Sequence, residues 1–160
     1  MEVDFYNLPF YSFLLQPKEK NTPAIFSQKV LLYGNIKEAK KRLAMVNNKI
    51  DLIENQYDED NIRSCANTLR NLLEFILKYY CIYKAYSLPN EEAYGYNMLG
   101  NLKKHLKEKG DDLVIEQEVI NTANEYSHDS GIKLEKERLA LLRDKIAEIL
   151  YQIEKSCIGK

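Results

Sequence analysis

Apolar residues recur at helical spacing along most of the chain, and turn-forming residues separate the segments. The clearest segment spans about residues 60 to 87, where apolar residues step by four and three: Ile62, Ala66, Leu69, Leu73, Ile76, Tyr80 and Tyr83. Leu72, Phe75 and Leu77 widen its apolar surface. This pattern predicts a central, largely buried helix.

The same spacing predicts further helices at about 36–56, 97–109, 112–127 and 133–157. The first of these carries lysines on a face expected to be exposed. Thr22 and Pro23 indicate the start of an earlier short helix that ends at Gly34. Asn35 and Glu38 resemble a capping box for the helix that follows. No segment alternates as a strand does, so an all-α, antiparallel up-and-down bundle of four to five helices is expected.

The N-terminal region differs in composition from the rest. Residues 1–34 comprise an aromatic arm, FYNLPFYSFLL, and the short helix, whereas 35–160 form the predicted bundle. The apolar side chains of the arm require burial, either on this domain or on another chain. The arm is therefore a candidate partner-docking segment.

Composition narrows the classes of function. A chain of 160 residues with a net charge of −1 indicates one domain without a global basic field, so nucleic acid would need a local patch. Its three cysteines lack metal-binding or disulfide spacing and indicate a reduced cytoplasm. Neither a signal peptide nor a membrane span is expected. No glycine-rich phosphate loop is present, and we expect no cofactor.

Two polar stripes interrupt the apolar pattern. On the central helix, residues spaced by four and three form the first: Arg63, Asn67, Arg70, Glu74 and Lys78. Arg70 and Glu74 can pair at i,i+4. The stripe is either a solvated face with a weak ion pair, or it aims Arg70 at a shared polar site where the guanidinium could bind phosphate.

The second stripe lies on the 112–127 helix and comprises Gln117, Asn121, Asn124 and His128. Histidine suits proton transfer near neutral pH, and asparagine can hold a substrate or orient an imidazole. Alternatively, the stripe is the polar end of a helix, where histidine also favours the helix dipole.

Metal chemistry is not supported. Glu125 and His128 form one Glu-x-x-His pair, but a di-iron bundle needs two, and His105 has Leu102 where the second glutamate should stand. His105 lies among lysines and is expected at the surface.

The segments NTLRNLLEFILKYY and INTANEYSHDSG together resemble the HEPN superfamily of small helical bundles. They look most like the HEPN-type domains associated with bacterial defence ATPases of the anticodon-nuclease kind. An Arg-x-x-Leu-Glu-x-Phe-Leu-like helix of that family maps onto Arg70, Leu73, Glu74 and Phe75, and an Asn-x-x-Ser-His sequence maps onto Asn124, Ser127 and His128. The resemblance covers roughly residues 36 to 157.

The resemblance implies particular roles. HEPN ribonucleases carry an Arg-x4–6-His motif, and two protomers join their motifs in a cleft that cuts RNA without metal. By that pattern His128 transfers the proton and Asn124 is the polar residue, while Ala123 stands at the arginine position. Three explanations are open: a natural non-catalytic member, a cation supplied by Arg70 or Arg63, or an engineered inactivation. Some HEPN toxins carry a modified tyrosine two residues after the histidine, where this chain has Ser130.

Two functions are therefore expected as alternatives. The first is an RNA-binding homodimer of a phage-defence or toxin system, acting as a metal-independent endoribonuclease. His128 would exchange the proton, Asn124 and Asn121 would position RNA, and Arg70 would neutralise phosphate. Glu74, Arg63 and Asn67 would orient these groups or contact the substrate. The second is a non-catalytic dimerisation or partner-binding subunit of a larger complex, with an ATPase or an antitoxin as partner.

Overall fold

Five helices make up the part of the chain that the structure describes, and no strand is present there. The structure is a computed structural model that describes residues 21–88, 98–129 and 131–157, with side chains from residue 34 onward. The helices are α1 (Asn21–Asp51), α2 (Glu59–Tyr83), α3 (Met98–Glu108), α4 (Gln117–Ser127) and α5 (Lys136–Cys157). The all-α prediction is confirmed, whereas the aromatic arm and Ser130 lie outside the described residues.

Four of the helices form an up-and-down bundle, with α1 beside α2 and α5, and α4 beside α2 and α5. The ion pair of Lys40 with Glu154 and the hydrogen bond from Lys136 Nζ to Ile53 O join α1 and α5 at opposite ends, so the two are antiparallel. The short α3 packs on α2. This arrangement is the predicted antiparallel topology.

The core contains the apolar residues that the spacing predicts. On α2, the fully enclosed residues include Ile62, Ala66, Leu69, Leu73 and Leu77. Each of the other helices contributes its apolar stripe to the same cluster. Because α2 contacts α1, α3, α4 and α5, it is the central helix that the pattern indicates.

The prediction that a short helix ends at Gly34 is wrong, because α1 runs without interruption from Asn21 to Asp51. Asn35 lies inside the helix and is buried, so it does not cap, and Glu38 instead accepts from Arg42. An internal glycine costs a helix only about 1 kcal/mol. Burial of Ile36 and the residues that follow outweighs that cost.

The ends of three helices also differ from the prediction. The helix predicted to reach residue 56 ends at Asp51. The helix predicted at 60–87 ends at Tyr83, and the one predicted at 112–127 begins at Gln117. Asp111 explains the later start of α4, because its carboxylate accepts from the Leu113 backbone N–H at 2.9 Å and holds this segment outside helical geometry. Asp58 caps the start of α2, because its side chain accepts from the Asn61 backbone N–H.

Two helices end in the same hydrogen-bonded turn with different residues at its left-handed position. After α2, Ala85 N–H donates to Ile82 O and Tyr86 N–H donates to Cys81 O, with Ala85 at φ 58°. After α3, Gly110 takes the equivalent place at φ 70°. This turn is the Schellman motif, whose left-handed residue is usually glycine.

Exchanging the two residue types is expected to change stability in opposite directions. Ala85→Gly should raise the free energy of unfolding by roughly 0.5 kcal/mol, because glycine removes a Cβ clash that outweighs its extra freedom in the unfolded chain. Gly110→Ala should lower it by about 1 kcal/mol, although open space surrounds its Cβ position. Urea unfolding measures both, and equal effects of the same sign would contradict the assignment.

Candidate functional site

The two predicted polar stripes lie side by side on α2 and α4, and Arg70 joins them. Its Nε donates to Asn124 Oδ1 at 3.1 Å, and its Nη2 lies 3.3 Å from Glu74 Oε1. The side chains of Arg70 and Glu74 are only 16% and 18% exposed. The predicted Arg70–Glu74 pair is therefore present, and it is partly shielded from water, where a charged hydrogen bond is stronger.

We call these two stripes together the polar seam; its members are Arg63, Asn67, Arg70, Glu74, Lys78, Gln117, Asn121, Asn124 and His128. Asp111, in the segment before α4, contacts the C-terminal end of α2, whereas Asn124, within α4, contacts the middle of α2. The two helices are therefore antiparallel. In that register Asn121 is level with Glu74, and His128 is level with Asn67, about one 5.4 Å turn beyond Asn124.

At the Gln117 end of the seam, the structure adds a residue that the sequence pattern does not identify. Lys103, on α3, donates from Nζ to Gln117 Oε1 at 2.9 Å. Gln117 Nε2 in turn donates to Asn121 Oδ1 at 3.0 Å. These two hydrogen bonds orient the amides of Gln117 and Asn121. Lys103 adds a positive charge beside the seam.

Two of the predicted members are placed less centrally. Arg63 pairs with Glu59 on its own helix at 2.6 Å, and no described contact links it to α4. Asn67 is exposed. Of the two arginines considered as cation donors, the structure therefore brings Arg70, and not Arg63, against Asn124.

His128 ends α4 and is exposed. Its backbone is extended, with φ −120° and ψ 156°, and its ring makes no hydrogen bond to any described residue. Ser127 faces away, since its Oγ donates to the Ala123 carbonyl at 2.6 Å. The imidazole is therefore accessible to a ligand, and Ser127 does not activate it.

Ala123 lies inside the core and not on the seam. It is 0% exposed and belongs to the apolar cluster between α4 and the helices it packs on. In this packing a side chain at 123 points into the bundle. The guanidinium nearest to Asn124 therefore comes from Arg70, on the neighbouring helix.

The seam carries more positive than negative charge. Arg63, Arg70 and Lys78 are cations and Glu74 is the one carboxylate among its nine members.

Within the described residues, no group of three or more potential ligands could hold a metal ion. His105 was predicted to lie at the surface, but it is half-buried. Its Nε2 atom has no hydrogen-bond partner among the described residues.

A second polar cluster, outside the seam, was not identified from the sequence. Asp111 accepts from the Tyr80 hydroxyl at 2.8 Å and the Tyr86 hydroxyl at 2.6 Å. Burial and the hydrogen bond to Asp111 raise the pKa of Tyr80, and the hydrogen bond with burial raises the pKa of Tyr86 to about 12. Burial alone would raise the pKa of Asp111, but its hydrogen bonds outweigh that effect and lower it. The cluster fastens the segment before α4 to the end of α2.

A double-mutant cycle is expected to detect the contact that joins the stripes. Arg70→Met and Asn124→Ala should show a coupling of about 1 kcal/mol in the free energy of unfolding, the usual size for such a hydrogen bond. Arg63→Met is the matched control, and its coupling with Asn124→Ala should be near zero. Equal couplings in the two cycles would contradict the geometry described above.

Comparisons of the chain with models of protein families, with curated proteins and with solved structures find no match. In the described part of the chain, no helix combines the length and apolar character needed to cross a membrane.

Proposed function

We propose that the protein is a HEPN-like RNA-binding domain of a phage-defence or toxin system, with the polar seam as its RNA-facing surface. The observation that carries the proposal is the hydrogen bond from Arg70 to Asn124, supported by Glu74. It links the two segments on which the family resemblance depends. It also places a fixed guanidinium beside the helix that carries His128.

The chemistry of the seam suits a phosphodiester backbone. The fork of Arg70 keeps donors beyond the two that Asn124 and Glu74 engage, and a guanidinium can bind two phosphate oxygens. The side-chain amides of Asn121 and Asn124 can donate and accept hydrogen bonds, which suits contacts with the sugar or the base. RNA differs from DNA by its 2′-hydroxyl, which both donates and accepts hydrogen bonds.

In the catalytic form of the proposal the seam cleaves RNA without metal. The neutral ring of His128 accepts the proton of the 2′-hydroxyl while the 2′-oxygen forms a bond to the adjacent phosphorus. The bond from phosphorus to the 5′-oxygen breaks, and the imidazolium returns the proton to that leaving oxygen. Arg70 neutralises the charge that accumulates on the phosphate oxygens. The products are a 2′,3′-cyclic phosphate and a 5′-hydroxyl.

The burial of Ala123 favours a second candidate, a non-catalytic dimerisation or partner-binding subunit. The position that the family pattern gives to arginine lies in the core here, so only Arg70 could take its role. In this candidate the seam binds RNA or a partner such as a defence ATPase or an antitoxin, without cleavage. The homodimer is common to both candidates.

A cleavage assay in EDTA separates the two candidates. The wild type is expected to cut single-stranded RNA to 2′,3′-cyclic phosphate ends, and His128→Ala should slow this by about 100-fold or more. His105→Gln replaces the other histidine of the chain and serves as the matched control, which should cut like the wild type.

RNA that no variant cuts would exclude the catalytic form and leave the second candidate. Equal rates for His128→Ala and the wild type would exclude His128 as the proton carrier. An RNA with 2′-deoxyribose at the cut site should resist cleavage, because it lacks the attacking oxygen.

A further inference from the structure

The side-chain amides at the start of α4 are oriented by a cation from another helix. Lys103 Nζ, on α3, donates to Gln117 Oε1 at 2.9 Å, and Gln117 Nε2 donates to Asn121 Oδ1 at 3.0 Å. An ammonium group has donors and no acceptor, so the Gln117 atom that it contacts is the oxygen. The Gln117 nitrogen then meets the oxygen of Asn121. The order of donors and acceptors therefore fixes which way both amides are turned.

This network engages its acceptors and keeps most of its donors. The oxygens of Gln117 and Asn121 each accept a hydrogen bond from within the network, whereas no contact among the described residues engages the Asn121 side-chain nitrogen. Lys103 and Asn121 each keep two N–H donors, and Gln117 keeps one. A ligand at this end of the polar seam therefore meets mainly donors.

The middle of the seam has the same polarity. A guanidinium also has donors alone, and Arg70 Nε reaches Asn124 Oδ1 at 3.1 Å. Cations on α2 and α3 thus engage the oxygen of an α4 amide at two places. The carboxylate of Glu74, which could supply an acceptor, is paired with Arg70 and only 18% exposed. Donors therefore predominate along the side of α4 that belongs to the seam.

Nucleobases differ in the group that such donors would meet. Uracil O4 and guanine O6 are keto oxygens that accept hydrogen bonds, whereas cytosine N4 and adenine N6 belong to amino groups that donate them. A donor that faces an amino group loses its water without gaining a hydrogen bond, which costs free energy. The donors of Lys103, Gln117 and Asn121 are therefore complementary to keto bases and not to amino bases.

A phosphate oxygen also accepts hydrogen bonds, but the charges around Asn121 favour a neutral acceptor. Glu118 and Glu125 stand one turn to either side of Asn121 on α4, and both are exposed. Because like charges repel, these carboxylates oppose a phosphate at Asn121. The fork of Arg70 is better suited to the phosphate, and the Asn121 nitrogen to a base.

We propose that Lys103, Gln117 and Asn121 form a base-reading site that selects uracil or guanine over cytosine or adenine in single-stranded RNA. The Asn121 nitrogen donates to the keto oxygen, while Lys103 and Gln117 act as positioning residues. Gln117 lies seven residues before Asn124, about 10 Å along α4, so the site adjoins the guanidinium of Arg70. The inference rests on the proposed function, because it names the bases that the seam accepts.

Fluorescence anisotropy with labelled uridine and cytidine homopolymers of equal length tests the site. The two RNAs share one backbone and one charge, so the ratio of their dissociation constants reports on the base. The wild type is expected to bind the uridine polymer at least about fivefold more tightly. Equal affinities would overturn the proposal and assign the donors to phosphate. Tighter binding of the cytidine polymer would also overturn it, and would assign base reading to the carboxylates beside Asn121.

Asn121→Asp replaces the donor nitrogen by an acceptor oxygen of nearly the same size. The preference for the uridine polymer should fall at least about fivefold, because the group that faces the keto oxygen no longer donates. Asn48→Asp is the matched control, since it adds the same charge at an exposed position of α1 outside the seam, and it should keep the wild-type ratio. A ratio that Asn121→Asp leaves unchanged, or that both variants lower equally, would overturn the proposal.

Lys103→Met tests the orienting step, because it removes the donor that fixes the Gln117 amide. A cation that only attracted RNA would, on removal, weaken the binding of both polymers and leave their ratio unchanged. Loss of an orienting cation should instead bring the ratio towards one. Lys104→Met is the matched control, since Lys104 is 74% exposed on the same helix and pairs with Glu108. An unchanged ratio for Lys103→Met, or an equal change for both variants, would overturn the orienting role.

The base-reading site and the proposed function can fail separately. A wild type that binds both polymers equally, and more tightly than Arg70→Lys does, overturns the base-reading site alone. A wild type that binds neither polymer overturns the proposed function and the base-reading site with it.

Discussion

The variant Ala123→Arg is expected to lose about 3 to 5 kcal/mol of stability and not to cleave RNA faster than the wild type. Ala123 is 0% exposed and packs in the cluster of buried apolar residues. The new side chain would overpack the core and bury an unpaired charge. Urea unfolding followed by circular dichroism measures the loss.

Glu125→Arg is the matched control for that variant, since it places arginine at an exposed position two residues further along α4. Its free energy of unfolding should change by less than about 1 kcal/mol. If Ala123→Arg proved as stable as Glu125→Arg, α4 would present residue 123 to solvent, and the packing described above would be wrong. In that case, the position that the family pattern gives to arginine would be exposed.

The second large effect is expected at Asp111. The variant Asp111→Ala should lose about 2 to 3 kcal/mol, because the buried Tyr80 hydroxyl, the Tyr86 hydroxyl and the Leu113 N–H all lose their acceptor. Asp112→Ala is the control, since the neighbouring carboxylate is exposed. Equal losses for both variants would show that the cluster does not hold the start of α4.

The same carboxylate should make stability depend on acid. The folded chain holds the pKa of Asp111 below its ordinary value of 3.8, so its contribution is complete above that value. As the pH falls below 3.8, the unfolded chain takes up the proton first, and the contribution is lost as the pH passes the folded pKa. In unfolding scans, Asp111→Asn should therefore lose less stability over this range than the wild type. An identical loss would contradict the assignment.

The sequence predicts the bundle well because the apolar period alone decides which residues are buried. Ile62, Leu69 and Leu73 on α2 illustrate this, since each lies in the core as its spacing predicts. The helix ends are less predictable. Gly34 looks like a helix terminator but lies inside α1, whereas Ala85 takes the left-handed position just after α2, where glycine would be usual. Local propensity is a weak guide wherever tertiary packing opposes it.

The candidate site was predictable only in part. Four-and-three spacing is sufficient to place Arg70 and Glu74 on one face and Asn124 on another. That these faces meet depends on the packing of α2 against α4, which no local pattern encodes. Lys103 and Asp111 act through residues 14 and 25 to 31 positions away, so their roles follow only from the fold.

RNA affinity of the variant Arg70→Lys tests the central claim most directly. The variant keeps the positive charge but loses the planar fork and the Nε donor that reaches Asn124. Fluorescence anisotropy with a labelled single-stranded RNA should show binding at least about tenfold weaker than wild type. Arg143→Lys makes the same exchange on α5, beside Asp51 and Asp144 and outside the polar seam, and should bind like the wild type. Equal affinity of Arg70→Lys and the wild type, or equal weakening by both exchanges, would contradict the proposal that the polar seam binds RNA.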